Sequence, residues 1–135
     1  MNEIHSLIPQ GKDDIERANA VVAAGYPTVA PILPDLLTSL QDCNWPIAHV
    51  LAPFLLSIGS PLIPHIHNIM NTDDEVWKYW IMVAIMRESH EVAQAFREEL
   101  ERLAYSPTLR EMAEELNEEA QFTLARHGWY KPVDF

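Results

Sequence analysis

Apolar residues recur along most of this chain at the three- and four-residue spacings of amphipathic helices. The first such segment runs from Asp13 to Ala24. Asp13 and Glu16 stand at capping-box positions, Ile15, Ala18, Val22 and Asn19 share a face, and Gly25 suits a left-handed stop. Ahead of it, Leu7-Ile8-Pro9 reads as an apolar clip on the end of a bundle. A second helix is expected over Thr28–Gln41, with Ile32, Leu33, Leu36, Leu37 and Leu40 inward. Its Pro31 and Pro34 fall in the first turns, where a missing N–H does least harm. The third, Trp45–Ile58, has Asp42 or Asn44 as cap and a continuous stripe of Ile47, Val50, Leu51, Phe54, Leu55 and Ile58. Pro53 predicts a bend within it and Gly59 its end.

The fourth helix, Pro61–Met70 with Ser60 as cap, exposes a repeat. Pro31-Ile32-Leu33-Pro34-Asp35-Leu36 returns as Pro61-Leu62-Ile63-Pro64-His65-Ile66, and Leu40 returns as Met70, at a shift of 30 residues. Helical pairs with such a period stack into α-solenoids, because one pair cannot bury its own apolar face. A fifth helix opens with Thr72-Asp73-Asp74-Glu75 and runs to Met86. Val76, Trp77, Trp80, Ile81, Val83, Ala84 and Ile85 surround it, the pattern of a central, buried helix. The sixth spans His90–Tyr105, with Val92, Phe96, Leu100 and Leu103 inward. The seventh spans Pro107–Arg126, with Ser106 as cap and Gly128 as stop. Leu109, Met112, Ala113, Leu116, Ala120 and Leu124 make its dry face, and Glu111, Glu114, Glu115, Glu118 and Glu119 its wet one. The aromatic tail, Trp129, Tyr130 and Phe135, is expected to fold back. The predicted class is all-α: a short right-handed HEAT-like α-α superhelix of about seven helices, forming one domain over 1–135.

Charge narrows the function. The formal net charge is −11, which disfavours nucleic-acid and anionic-membrane binding, since phosphate neutralisation needs clustered Lys and Arg. No Lys or Arg occurs between Arg17 and Lys78, and the acids concentrate in the C-terminal third. No stretch approaches the apolar length of a membrane helix. The start lacks signal-peptide character, and one cysteine, Cys43, leaves no internal disulfide, so a cytoplasmic protein is expected.

The motifs Leu40-Gln41-Asp42-Cys43-Asn44-Trp45-Pro46 and Asp73-Asp74-Glu75-Val76-Trp77-Lys78-Tyr79-Trp80, with Leu7-Ile8-Pro9 and Asp14-Ile15-Glu16, carry a resemblance. From about Leu7 to Leu124 the chain resembles the bacterial domain of unknown function 5071 family. The resemblance implies an all-helical, HEAT-like fold and no established activity. HEAT-like repeats in general present surfaces to other macromolecules.

Candidate chemistry is sparse. His65 and His67, two apart, point roughly 200° from each other on a helix, poor geometry for a metal. The chain holds no H-E-x-x-H, G-x-S-x-G or phosphate-loop pattern, so no catalytic residue, metal or cofactor is expected. Asp73, Asp74 and Glu75 serve as helix caps before they serve as acid–base pairs. Cys43, before a helix start, is the one nucleophile candidate, since a helix N-terminus lowers a thiol pKa. Aromatic and polar residues near the repeat turns suggest a shared surface: Asn44, Trp45, His49, Trp77, Lys78 and Tyr79, with Lys78 facing a groove or pairing with Asp42. The expected function is a non-catalytic protein–protein interaction module, monomeric or weakly dimeric. It would bind another protein, in the sharper form a basic one, in an immunity- or antitoxin-like role. The alternative is a small hydrolase or ligand-binding protein with a site among Trp45, His49, Asp73 and Trp77, between the third and fifth helices.

Overall fold

The computed structural model describes residues 3–131, and among them regular structure is all helical, with no strand. A 3-10 turn, Glu3–Leu7, leads in. Leu7 and Ile8 then lie half-buried against the core, as a clip should. Helix α1 is Ile15–Ala24. Its cap is Asp14 rather than Asp13: the Asp14 carboxylate accepts from the Arg17 N–H at 3.2 Å and from the Gln10 N–H at 2.9 Å. The inward face shifts with this later start. Ala18 and Val21 are buried, whereas Val22 and Asn19 are exposed.

The repeat survives in three dimensions. Helix α2, Leu33–Leu37, is flanked by 3-10 turns Ala30–Ile32 and Thr38–Leu40. Helix α4, Ile63–Met70, follows the 3-10 turn Ser60–Leu62. Each copy thus enters through a proline-bearing 3-10 turn and places its second proline at the start of the α-helix. Ile32, Leu36 and Leu40 are buried where their counterparts Leu62, Ile66 and Met70 are buried. Between the copies lies α3, Pro46–Ile58, which runs through Pro53 without a break. Pro53 is exposed. The carbonyl of His49 that it leaves without an N–H therefore lies on the wet side of the helix. Ile47, Leu51 and Leu55 are buried, and Val50, Phe54 and Ile58 pack half-buried beside them. The chain bends by 107° between Pro46–Ile58 and Ser60–Met70. Gly59 makes the bend at φ 76. Neither α3 nor the turn at Ser60 has a side-chain cap. Asp42 instead accepts from the Asn44 N–H at 2.8 Å, and the Ser60 N–H donates to Glu91 at 3.0 Å.

Helix α5, Glu75–Ile81, continues as a π turn over Met82–Met86. Asp74 is its cap, accepting from the Trp77 N–H at 3.0 Å. Burial is complete for Ile81, Met82, Ile85 and Met86, but it does not extend around the whole helix: Val76 is 43% exposed. The expected sixth helix is two. Phe96, at φ −112 and ψ 14, separates α6, His90–Ala95, from α7, Arg97–Tyr105. Val92, Phe96, Leu100 and Leu103 still face inward as expected.

The seventh expected helix also divides, with larger consequences. Helix α8, Leu109–Ala113, is capped by Thr108, whose hydroxyl and Glu111 form a reciprocal capping box; Ser106 and Pro107 stay outside it. Glu115 then adopts a left-handed conformation, φ 63 and ψ 22, before α9, Leu116–Arg126. The break rotates the faces. Leu109, Met112 and Ala113, expected inside, are exposed, while Glu111 and Glu119, expected in water, are buried. Helix α9 keeps Leu116, Ala120 and Leu124 inside, and lies on α7, α5 and the π turn. Gly128, at φ 81, closes it in a Schellman arrangement: the Trp129 N–H donates to the Leu124 carbonyl at 2.7 Å and the Gly128 N–H to Ala125 at 3.0 Å. Trp129 and Tyr130 fold back against the core. Phe135 lies outside the described residues.

Candidate functional site

The six residues expected to share a surface do not line one depression together. Asn44 is exposed in the turn before α3, and His49 is exposed further along that helix. Trp45 is half-buried and lines a shallow depression with Lys12, Asp35 and Gln41. Trp77 lines a different, apolar cleft with Pro34, Leu37 and Ile69. Its indole N–H donates to the Leu37 carbonyl at 3.1 Å, so this ring ties α5 to the first repeat copy. Lys78 faces neither a groove nor Asp42. It is 8% exposed and pairs with Glu75 at 3.2 Å. The second Glu75 oxygen holds Arg110 at 2.9 Å, and Arg110 also donates to the Asp73 carbonyl at 3.0 Å. This three-charge junction fastens α8 to the start of α5. Asp73 stands here, apart from Trp45 and from His49.

Burial pushes the Cys43 thiol up to about 11, and the Asp42 carboxylate pushes in the same direction. The effect is opposite to the activation expected of a helix start, so the thiol is protonated at neutral pH.

Tyr79 opens onto a third depression, of about 440 Å³, lined by Val76, Trp80, Ala113, Glu114 and Glu115. The Tyr79 and Trp80 rings meet edge to face at 5.2 Å. Burial, then the Glu119 and Glu115 charges, raises the Tyr79 hydroxyl above its ordinary value. Next to this hollow, α8 turns its apolar side outward: Leu109 is 82% and Met112 41% exposed. Ala113 belongs to both the hollow and that side of α8, which makes the apolar surface continuous from α5 to α8. Its rim is acidic. Glu114 and Glu115 are exposed beside it, as are Asp73 and Asp74 at the head of α5.

The nearby cations are paired with acids, although Arg110, its side chain 67% exposed, lies in the rim beside Val76 and Ala113. Arg110 is held by Glu75. Arg87 donates twice to Glu119, whose carboxylate also accepts from the Thr123 hydroxyl at 3.0 Å, and it lies 4.4 Å over the Phe122 ring. The family described as Domain of unknown function (DUF5071) matches residues 7–124 of the chain. The chain belongs to that family. A comparison with curated proteins finds no match. Membership brings no assigned chemistry to the α5–α8 face, so its composition and exposure carry the argument. Sequence patterning missed Leu109 and Met112 because they continue the stripe of Leu116, Ala120 and Leu124. One cue was available: Thr108-x-x-Glu111 is itself a capping box and competes with the Ser106-Pro107 start.

Proposed function

We propose that this protein is a non-catalytic, HEAT-like interaction module that docks a basic, amphipathic segment of another protein on the α5–α8 face. The observation carrying this is the outward apolar side of α8, with Leu109 82% exposed, joined to the Val76–Tyr79–Trp80 hollow. Large exposed apolar side chains rimmed by charge mark interaction surfaces. The acidic rim, within a chain of net charge −11, selects the sign of the partner and speeds its approach. The solenoid part of the proposal is supported by the two repeat copies, which share their 3-10 entry and their buried positions. Trp45 lines a depression that shares no residue with this hollow, so the docking face is assigned to α5 and α8 rather than to the turns between repeats.

The test uses the full chain and a synthetic basic helical peptide, with lysines on one face and leucines on the other, followed by tryptophan fluorescence. A same-composition peptide with the faces scrambled serves as control. Saturable binding is expected for the amphipathic peptide, weakened roughly tenfold by Met112→Asp and by raising salt, which shortens the screening length. Equal binding of the scrambled peptide, or indifference to Met112→Asp and Leu109→Asp, would overturn the proposal. So would concentration-dependent dimerisation lost in the same variants, since the occupant would then be a second copy.

A further inference from the structure

His90, the first residue of α6, and His127, which caps the end of α9, face each other outside the α5–α8 hollow. Their Nδ1 atoms are 3.1 Å apart. The other nitrogen of His127, Nε2, lies 2.7 Å from the Met86 carbonyl. A carbonyl only accepts, so Nε2 carries the proton and Nδ1 presents a lone pair toward His90. Fixing one ring nitrogen on a backbone carbonyl is how metal-ligating histidines are oriented and made more basic. We propose that His90 and His127 together bind one borderline divalent cation, of the copper, nickel or zinc class, through their two Nδ1 atoms.

The span fits. With imidazole–metal bonds of about 2.05 Å, a 3.1 Å separation subtends roughly 100° at the metal, between cis square-planar and tetrahedral angles. The exchange balances: in the metal-free pair His90 Nδ1–H donates to His127 Nδ1. On binding, that proton moves to His90 Nε2, and two nitrogen–metal bonds replace one hydrogen bond. Among the described residues no third acid, thiol or imidazole completes a ligand cluster, so water fills the remaining positions. His90 is exposed and His127 half-buried, which leaves the ion a path in. Trp129 walls the pair, with its ring 4.9 Å from His90 and 5.2 Å from His127. The neighbouring cations are neutralised: Arg126 pairs with Glu88 at 2.8 Å, and Arg97, stacked over Trp129 at 4.7 Å, pairs with Glu101 at 3.8 Å. A bound ion would clip α6 to the end of α9 and to the Trp129 segment.

The experiment titrates the full chain with Cu²⁺ in a non-coordinating buffer, read by electron paramagnetic resonance and calorimetry, and repeats the calorimetry with Zn²⁺. Copper is the probe because it stands highest among divalent ions at nitrogen sites. One equivalent with the hyperfine signature of two imidazole nitrogens is expected. His90→Gln and His127→Gln should each weaken binding roughly tenfold or more, while His65→Gln leaves it unchanged. His90→Gln is the cleaner variant, because the His90 ring holds no backbone group. Circular dichroism of each variant confirms the fold. The proposal is overturned if no copper is retained at 100-fold excess over micromolar protein, if the spectrum shows a single nitrogen, or if binding survives in both variants.

Discussion

The Arg87–Glu119 pair joins the π turn to α9 through a bidentate contact on a buried carboxylate. The Glu119 side chain is 4% exposed and that of Arg87 26%. Arg87 donates to both carboxylate oxygens, and Thr123 adds a third bond. Arg87→Ala leaves a buried carboxylate with only the Thr123 hydroxyl. Breaking a buried pair costs roughly 3–5 kcal/mol, and the partial exposure of Arg87 moves the expectation to about 3 kcal/mol. Loss of the stacking over Phe122 falls within that figure, since a partly exposed cation–π contact contributes only about 0.5–1 kcal/mol. Glu119→Ala is expected to cost about 2–3 kcal/mol, because it strands Arg87 at a site where water can reach it. The double variant should fall short of the sum by roughly 1.5–2 kcal/mol, the coupling of two groups that act as a unit. Urea denaturation followed by tryptophan fluorescence measures all four corners of the cycle. At this chain length the single variants should lower the melting temperature by ~10 °C. Additivity within about 0.5 kcal/mol would refute the reasoning, since it would show that the two side chains contribute independently.

The Glu111 carboxyl is held below its ordinary value by the Arg102 guanidinium and, against the opposing effect of burial, by the Thr108 N–H. A group depressed in the folded state contributes stability above its unfolded value of 4.5, and that contribution is lost as pH falls through the lowered folded value. Glu111→Gln should therefore be less stable than wild type at neutral pH and show a shallower loss in acid, and parallel stability–pH curves would refute it. Glu115 pays for a left-handed backbone at φ 63 that glycine adopts freely. Glu115→Gly is expected to raise stability by about 0.5–1 kcal/mol in urea unfolding; a lower midpoint would mean that the glutamate side chain contributes more than its backbone costs.

The helical class, the proline-paired repeat, the inward faces of α2, α3 and α7, and the glycine stops at 25, 59 and 128 were legible in the residues alone. Each rests on short-range physics: side chains three and four apart share a face, proline fixes its own φ, and glycine alone enters the left-handed region without cost. The breaks at Phe96 and Glu115 were not legible. Nothing local marks them, and they accompany the packing of α6, α7 and α9, each of which lays a face on the same core. The charged residues were misplaced for a related reason. Glu111 and Glu119 read as wet, Glu75 as a helix cap and Lys78 as facing a groove or pairing with Asp42, whereas Arg110 and Arg87 reach Glu75 and Glu119 from elements more than thirty residues away in sequence. Whether a carboxylate faces water or the interior is decided by whether a cation meets it there. In the same way, Leu109 and Met112 became surface only when Glu115 turned the chain, so tertiary packing, not hydrophobic pattern, placed the candidate docking face.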